Sequence, residues 1–575
     1  MQFLKSDSGT RFPTWSWTGF ALLLCLFLAA ACYRLDRPGI YADEALFVGA
    51  AYQMTGECEI DAQVAKSVKC VPLYLQPPYL GVAKAAIYAP IFAAFGSGPW
   101  PLRLPMILLT TLSLFGLFVF LQREWGSVPA LITLTLLSLD PIFVYHIRFD
   151  WGPAAIALFC RLALAICTIK WLQNGQMWAL KGAVFFALLG FYDKLNFIWV
   201  LGALGLAVLL CAPRLLLQRI AAREARVPLT VALLGFSIMI FLFVLPAMRL
   251  PLPSAAQPLI WQHQWQSFWG QYAQVFSGGS LLPWIFKLPA SANALPEYLI
   301  CFQAICALTL SWRFKAQLQI NAETGPLHEV KTTRLITVFR GLSIYLFSMM
   351  LLMMATKQFS GSHHLIMLWP APHLHLLLSV YILLTRVWSA AWNVPTWKVS
   401  PESAGYMATS LLVVAHCAAF LPIHIALIKG WQDQYSYRGV MDPAGYKLAA
   451  FLSTRDEALI APTDWGLNEN LIAMVEKPQR ARLKRWNTFF SEPYDKNIER
   501  NEWIYQQFVA RGPSLYVAFQ PDEVMIPGSR ANLATYFAAW PGCATLIFEN
   551  PALDGRPLHQ VWRFDPSARC AAPKL

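Results

Sequence analysis

Long apolar runs separated by short polar turns fill the first three quarters of the chain. A membrane-crossing helix needs about 20 mostly apolar residues. Candidate spans lie near 16–33, 104–121, 128–146, 153–171, 179–192, 195–213, 228–249, 296–312, 336–355, 364–385 and 405–428, about eleven in all. Residues 80–97 are apolar as well but contain Lys84 and Pro90. They read as a helix lying at the membrane surface, because a span there would move every later basic loop to the other side. After about residue 430 the pattern turns mixed and polar. Strand-like runs at Ala458–Pro462, Ser514–Phe519, Ala544–Phe548 and His559–Phe564 are punctuated by turns such as Pro541-Gly542 and Asp554-Gly555. The pattern therefore predicts an α-helical polytopic membrane domain over 1–429, with a long first external loop at about 34–102. A small α/β domain follows over 430–575.

Composition strengthens this picture. Only 13% of the 575 residues are charged and 57% are hydrophobic, where a soluble domain carries roughly a quarter charged. The net charge of +13 does not point to nucleic acid, because the bases fall in short clusters between apolar runs. With the N-terminus in the cytoplasm, the cytoplasmic loops hold Arg123; Lys170 and Lys181; Arg214, Arg219, Arg223 and Arg226; Arg313, Lys315, Lys331 and Arg334; and Arg386 and Lys398. This is the positive-inside bias, and it puts the terminal domain outside the cytoplasm. Trp17–Cys32 lacks a small-residue cleavage site and reads as a first span rather than a removable signal. Eight of the twelve cysteines lie in or beside apolar spans. The other four, Cys58 with Cys70 and Cys543 with Cys570, fall on the external side, where disulfides persist.

Four polar groups sit at span mouths on that external face, where charge near hydrocarbon is costly and tends to be functional. Asp43-Glu44 opens an amphipathic helix after the first span; the pair suits a helix N-terminus, or a general base. His146, Arg148 and Asp150 share one short turn after the third span. Asp193-Lys194 separates two spans, and Lys194 suits either snorkelling or a lipid phosphate. Lys357 precedes the adjacent His363 and His364, which suit proton transfer or phosphate contact rather than a metal pair. Acids beside several cations fit transfer of a group away from a phosphate. A transporter or flippase of a lipid-linked glycan is the alternative, and such proteins usually show internal repeats and broken helices at the midplane. No repeat is visible here.

The order of motifs also resembles a known class. Asp-Glu opens a helix after the first span. Pro77-Pro78 follows, then Arg103-Leu-Pro105 at the second span, an Arg–Asp turn after the third and a lysine after the fifth. This is similar to the GT-C glycosyltransferases related to protein O-mannosyltransferases and the aminoarabinose transferase of lipid A, well over about 1–220 and more loosely to 370. The resemblance implies a multi-pass enzyme of the cell membrane, the inner membrane of a bacterium. It would move a sugar from a polyprenyl-phosphate donor to a hydroxyl of a lipid, glycan or protein, with inversion. It makes Asp43 the base, Glu44 its neighbour and Asp150 the second acid, with Arg148, Lys194 and Lys357 toward the donor phosphate, beside His363 and His364. Some relatives have a phosphate-binding lysine just before the Pro-Pro pair, where this chain has Gln76. Some members use a divalent cation, which Asp43, Glu44 and Asp150 could support, although no ligand spacing here demands one. The Trp465-Gly466 turn and the aromatics of the terminal domain offer surfaces for selecting an acceptor.

Overall fold

The computed structural model describes residues 13–62, 64–75, 80–152, 154–248, 261–289, 326–357, 362–391, 401–485, 490 and 512–566. Contacts divide the chain into two compact units. One comprises Met1–Tyr33, Met106–Leu281 and Ala290–Ile425; the other comprises Arg34–Pro105, Leu282–Pro289 and Ala426–Leu575. The first loop is thus grouped with the terminal domain rather than with the spans it interrupts.

Among the described residues the chain has six helices long and apolar enough to cross a membrane, or up to eight if each bent pair is one span. The expected eleven are therefore met only in part, for identifiable reasons. The predicted 296–312 span lies outside the described residues. Met177–Asp193 is apolar but has 17 residues, about 26 Å at 1.5 Å per residue. Two other spans are broken. Ser127–Ser138 and Pro141–Phe149 meet at 64°, and Leu195–Cys211 and Pro213–Ala221 at 105°. Each break falls at a proline, which cannot donate the helical hydrogen bond and starts a new helix instead. Ala83–Phe95 has 13 residues, too few to cross a bilayer of about 30 Å.

In the first unit the helices close on small apolar cores. One joins Trp171, Leu172, Ala179, Leu180 and Ala225; another joins Ile132, Leu136, Leu377 and Val413. Their outer faces remain apolar. Leu22 is 66% exposed, Leu233 68% and Phe241 70%, as expected where lipid covers the surface in place of water.

In the second unit the strands β3 (Leu459–Pro462), β4 (Ser514–Phe519), β5 (Ala544–Pro551) and β6 (Pro557–Phe564) form a four-stranded sheet in the order β3-β4-β6-β5. All four strand-like runs thus form strands. β3 runs parallel to β4, while β6 pairs antiparallel with both β4 and β5. Every residue of β4 is buried, which is why it reads as an unbroken apolar run. The helix Ser529–Ala538 packs on the sheet through Leu533 and Tyr536, against Tyr516, Trp540 and Phe564. The first loop contributes an unexpected hairpin, β1 Val64–Val68 with β2 Val71–Leu75, whose Lys69-Cys70 turn is bridged to the preceding segment by a Cys58–Cys70 disulfide. Cys543 is also disulfide-bonded, and Cys570 lies outside the described residues. Charged pairs far apart in sequence tie the loop to the terminal region: Arg37 to Asp433 at 2.9 Å, and Arg480 to Glu57 at 2.9 Å.

Candidate functional site

Within the second unit, Asp43 and Glu44 begin the helix Ala42–Met54. The two neighbours have opposite surroundings. Glu44 is fully buried: Oε1 accepts from the Tyr41 backbone N–H at 3.1 Å and from Arg103 Nη2 at 2.8 Å, while Oε2 accepts from Arg103 Nε at 2.8 Å. Arg103, also fully buried, donates further to the carbonyls of Leu35 at 2.7 Å, Pro38 at 3.0 Å and Gly39 at 3.1 Å. The Arg-Leu-Pro motif thus fixes both the incoming loop and the helix start. Glu44 is thus taken up by that clamp, immediately beside Asp43. Asp43, about 100° around the helix, is half-buried. The phenol of Tyr41 is pushed well above its usual range, first by burial and then by the charges of Asp43 and Glu44. Its ring meets Trp284 at 4.7 Å and Trp465 at 5.8 Å.

Lys84, noted in the sequence only as an obstacle to a span, is buried with its ammonium 5.8 Å from the Phe47 ring and 5.9 Å from that of Tyr88. Phe47 lies one turn beyond Asp43 on the same helix face, so a buried cation borders that face. Gln76 and Pro77-Pro78 lie outside the described residues.

Within the first unit, Arg148 and Asp150 make backbone contacts around the end of the helix Pro141–Phe149. Arg148 Nη1 donates to the carbonyls of Tyr33 at 2.6 Å and Ala31 at 3.3 Å, capping the end of the helix Thr14–Cys32. Asp150 takes a left-handed conformation, φ 45°, that ends Pro141–Phe149, and its Oδ1 accepts from Ala155 N at 2.7 Å, starting the next helix. Beyond the turn, Gly152 has φ +65°, and a β-carbon there would lie 2.8 Å from Lys194 Nζ and 3.9 Å from the His363 ring. The absent side chain gives the lysine its place. His363 also lies within electrostatic reach of Lys194, His146 and His364, and the His363 and His364 rings are 4.1 Å apart. Lys194, His146, His363 and His364 therefore form one cluster at this turn. Lys357, half-buried, ends the helix Pro326–Ala355 beyond its last turn with φ 54°.

The sequence reading passed over Asp140. Its Oδ1 caps Pro141–Phe149 by accepting from Ile142 N at 2.8 Å and Phe143 N at 3.2 Å. Its Oδ2 accepts from Trp369 Nε1 at 2.6 Å and lies 3.0 Å from His373 Nε2. Arg161 secures the same segment, donating to the carbonyls of Trp369 at 2.8 Å and Ile366 at 3.2 Å. The stretch that carries His363 and His364 is thereby tied to the helix that carries His146. An Asp-Pro pair in the middle of an apolar span was the available signal. Among the described residues, no three His, Cys, Asp or Glu side chains are grouped to hold a metal ion.

No family model and no curated protein matches the chain. Solved structures do. ArnT from Cupriavidus metallidurans in the apo state is 12% identical with a TM-score of 0.42, over 95% of this chain and 98% of that one. The same protein bound to undecaprenyl phosphate gives 12% identity and a TM-score of 0.41 over the same shares. The archaeal oligosaccharyltransferase AglB from Archaeoglobus fulgidus, in complex with an inhibitory peptide and a dolichol-phosphate, is 12% identical with a TM-score of 0.49, over 93% of this chain and 80% of that one. Both proteins are GT-C glycosyltransferases, the class the sequence resembles. Overlaps this low decide nothing about the chemistry, which rests on the chain's own residues.

Proposed function

We propose that the chain is a membrane glycosyltransferase that moves a sugar from a polyprenyl-phosphate donor to a hydroxyl acceptor on the extracytoplasmic face, with inversion. The acceptor oxygen forms a bond to the anomeric carbon as that carbon's bond to the phosphate oxygen breaks. Asp43 takes the hydroxyl proton, and the lipid phosphate leaves with the electron pair. One base suffices for such a displacement; the departing charge requires cations. Lys194 supplies one, with Lys357 as a further contact and the His363 and His364 rings as hydrogen-bond donors, while Arg148 and Asp150 shape the turn that presents the cluster. Glu44 and Arg103 hold Asp43.

The observation that carries this reading is the half-buried Asp43 on a helix start clamped by a fully buried two-point ion pair. A carboxylate held by such a clamp enters the reaction already oriented. The Cys58–Cys70 disulfide supports an extracytoplasmic setting for the loop, and with it the terminal domain of the same unit, as in a bacterial inner-membrane enzyme.

Titrating the detergent-purified protein with undecaprenyl phosphate tests the phosphate half. Charge-assisted contacts contribute about 1.5–3 kcal/mol each, so Lys194→Ala is expected to weaken binding roughly 10- to 100-fold. Unchanged affinity in the variant would remove Lys194 from this role. Absence of binding by the unaltered protein would overturn the donor class itself.

A further inference from the structure

The helix start that presents Asp43 is flanked by two tryptophans that the transfer chemistry does not use. Trp465 lies on the turn between β3 and the helix Leu467–Ile472. Asp464 braces that turn by accepting from Trp465 N at 2.7 Å, Ile526 N at 2.9 Å and Met525 N at 3.0 Å. Gly466 follows with φ +83°, and a β-carbon there would come within 3.1 Å of the Ala42 side chain. Only glycine suits both the left-handed backbone and the close approach. The turn is therefore locked against the residue immediately before Asp43.

Trp284 arrives from a different segment, the short helix Leu281–Ile285. That segment is pinned where Lys287 N donates to Ser436 O at 2.9 Å and Arg438 N to Ile285 O at 3.1 Å. Both indoles meet the Tyr41 ring edge-on, at 73° and 61°. Both are half-buried, whereas Trp151, Trp199, Trp369 and Trp431 are fully buried packing residues.

We propose that Trp284, Trp465 and Tyr41 form the acceptor subsite beside Asp43, and that the acceptor group bound there is a pyranose ring. This rests on Asp43 being the base. Indole faces stack on the C–H face of a sugar ring, and that pose leaves an equatorial hydroxyl free to reach a neighbouring carboxylate. The chemistry of the turn favours a sugar over a peptide. Its backbone N–H groups at 465, 525 and 526 are all taken by Asp464, so they cannot pair with a peptide backbone. The three rings supply no cation for a phosphate or carboxylate.

The test uses full-length protein in detergent and follows tryptophan fluorescence during titration with methyl glycosides and short oligosaccharides of neutral hexoses and N-acetylhexosamines. Saturable quenching is expected with at least one of them. Trp465→Ala and Trp284→Ala are each expected to weaken it at least 10-fold, while Trp465→Phe retains most of it. A melting curve is run on each variant, and the Phe variant keeps the test decisive if an alanine variant fails to fold. The proposal is overturned if no glycoside binds. It is overturned equally if binding ignores both tryptophans, or if a Ser/Thr-containing peptide quenches in place of every sugar. Undecaprenyl phosphate titration of the same samples separates the two readings. Loss of lipid-phosphate binding in the unaltered protein counts against the transferase reading, whereas sugar binding that ignores the tryptophans counts against the subsite alone.

Discussion

Adjacent acids with opposite fates give a sharp prediction. In Glu44→Gln the amide carbonyl still accepts one hydrogen bond, but the Arg103 guanidinium keeps its charge in full burial and loses the carboxylate paired with it. Removing one partner of a buried pair costs about 3–5 kcal/mol. The carbonyls of Leu35, Pro38 and Gly39 still solvate Arg103, which sets the expected loss near 3 kcal/mol. At roughly 2–4 °C per kcal/mol for a body of this size, the second unit should melt about 6–12 °C lower. Asp43→Asn removes a half-buried charge near a helix N-terminus and should cost under about 1 kcal/mol. The double variant Glu44→Gln/Arg103→Met removes the stranded charge and should recover most of the loss. The assay is intrinsic-fluorescence melting of all three variants beside the parent, in one detergent. Equal melting of Glu44→Gln and Asp43→Asn, or no recovery in the double variant, would refute the division of labour between the two acids.

Two further outcomes follow from the same contacts. Asp140→Asn keeps one acceptor oxygen where the native carboxylate serves both the helix cap and the Trp369 and His373 side chains. An unmade buried hydrogen bond costs about 1–3 kcal/mol, so undecaprenyl phosphate affinity should fall roughly 10-fold as the His363–Trp369 segment loosens; unchanged affinity would make Asp140 purely structural. Burial pushes the Asp442 carboxyl up to about 6, against the hydrogen bonds from Ala444 and Leu553 and the charge of Arg556. The folded state then binds this proton more tightly than the unfolded one, so stability falls as pH rises from about 4 to 6 and the cost is fully present above 6. Asp442→Asn should therefore raise the melting temperature at pH 8, by the equivalent of about 3 kcal/mol at most, and leave it unchanged at pH 3.5; a gain of equal size at both values would contradict this.

Local pattern carried the reading furthest where one element decides its own conformation. The apolar runs located the helices, and the strand-like runs of the terminal domain became β3 to β6. Lys194, His363 and His364 stand out in the sequence because charge at a span mouth is conspicuous, and the fold brings them near one another. Pairings across long separations were not legible. Glu44 and Arg103 are 59 residues apart, and nothing local distinguishes a clamped glutamate from a catalytic one. Arg480 reaches Glu57 across 423 residues, so the loop's membership in the terminal unit was invisible. The breaks at Asp140-Pro141 and Ala212-Pro213 were readable, since proline ends helices, but the apolar count overrode them. The β1–β2 hairpin turns on Lys69-Cys70, with φ 49° and 71°, where a hairpin search expects glycine or asparagine.

The most direct test of the account is turnover of polyprenyl-phosphate sugars by the purified protein, with the unaltered chain and Asp43→Asn assayed together on a panel of donor sugars and a crude acceptor extract. Transfer by the parent is expected, with a loss of at least about a hundredfold in a variant that melts within a few degrees of it, since general-base catalysis contributes about 10²–10⁴. Equal turnover by the two would contradict the assignment of Asp43 as the base, and with it the central claim.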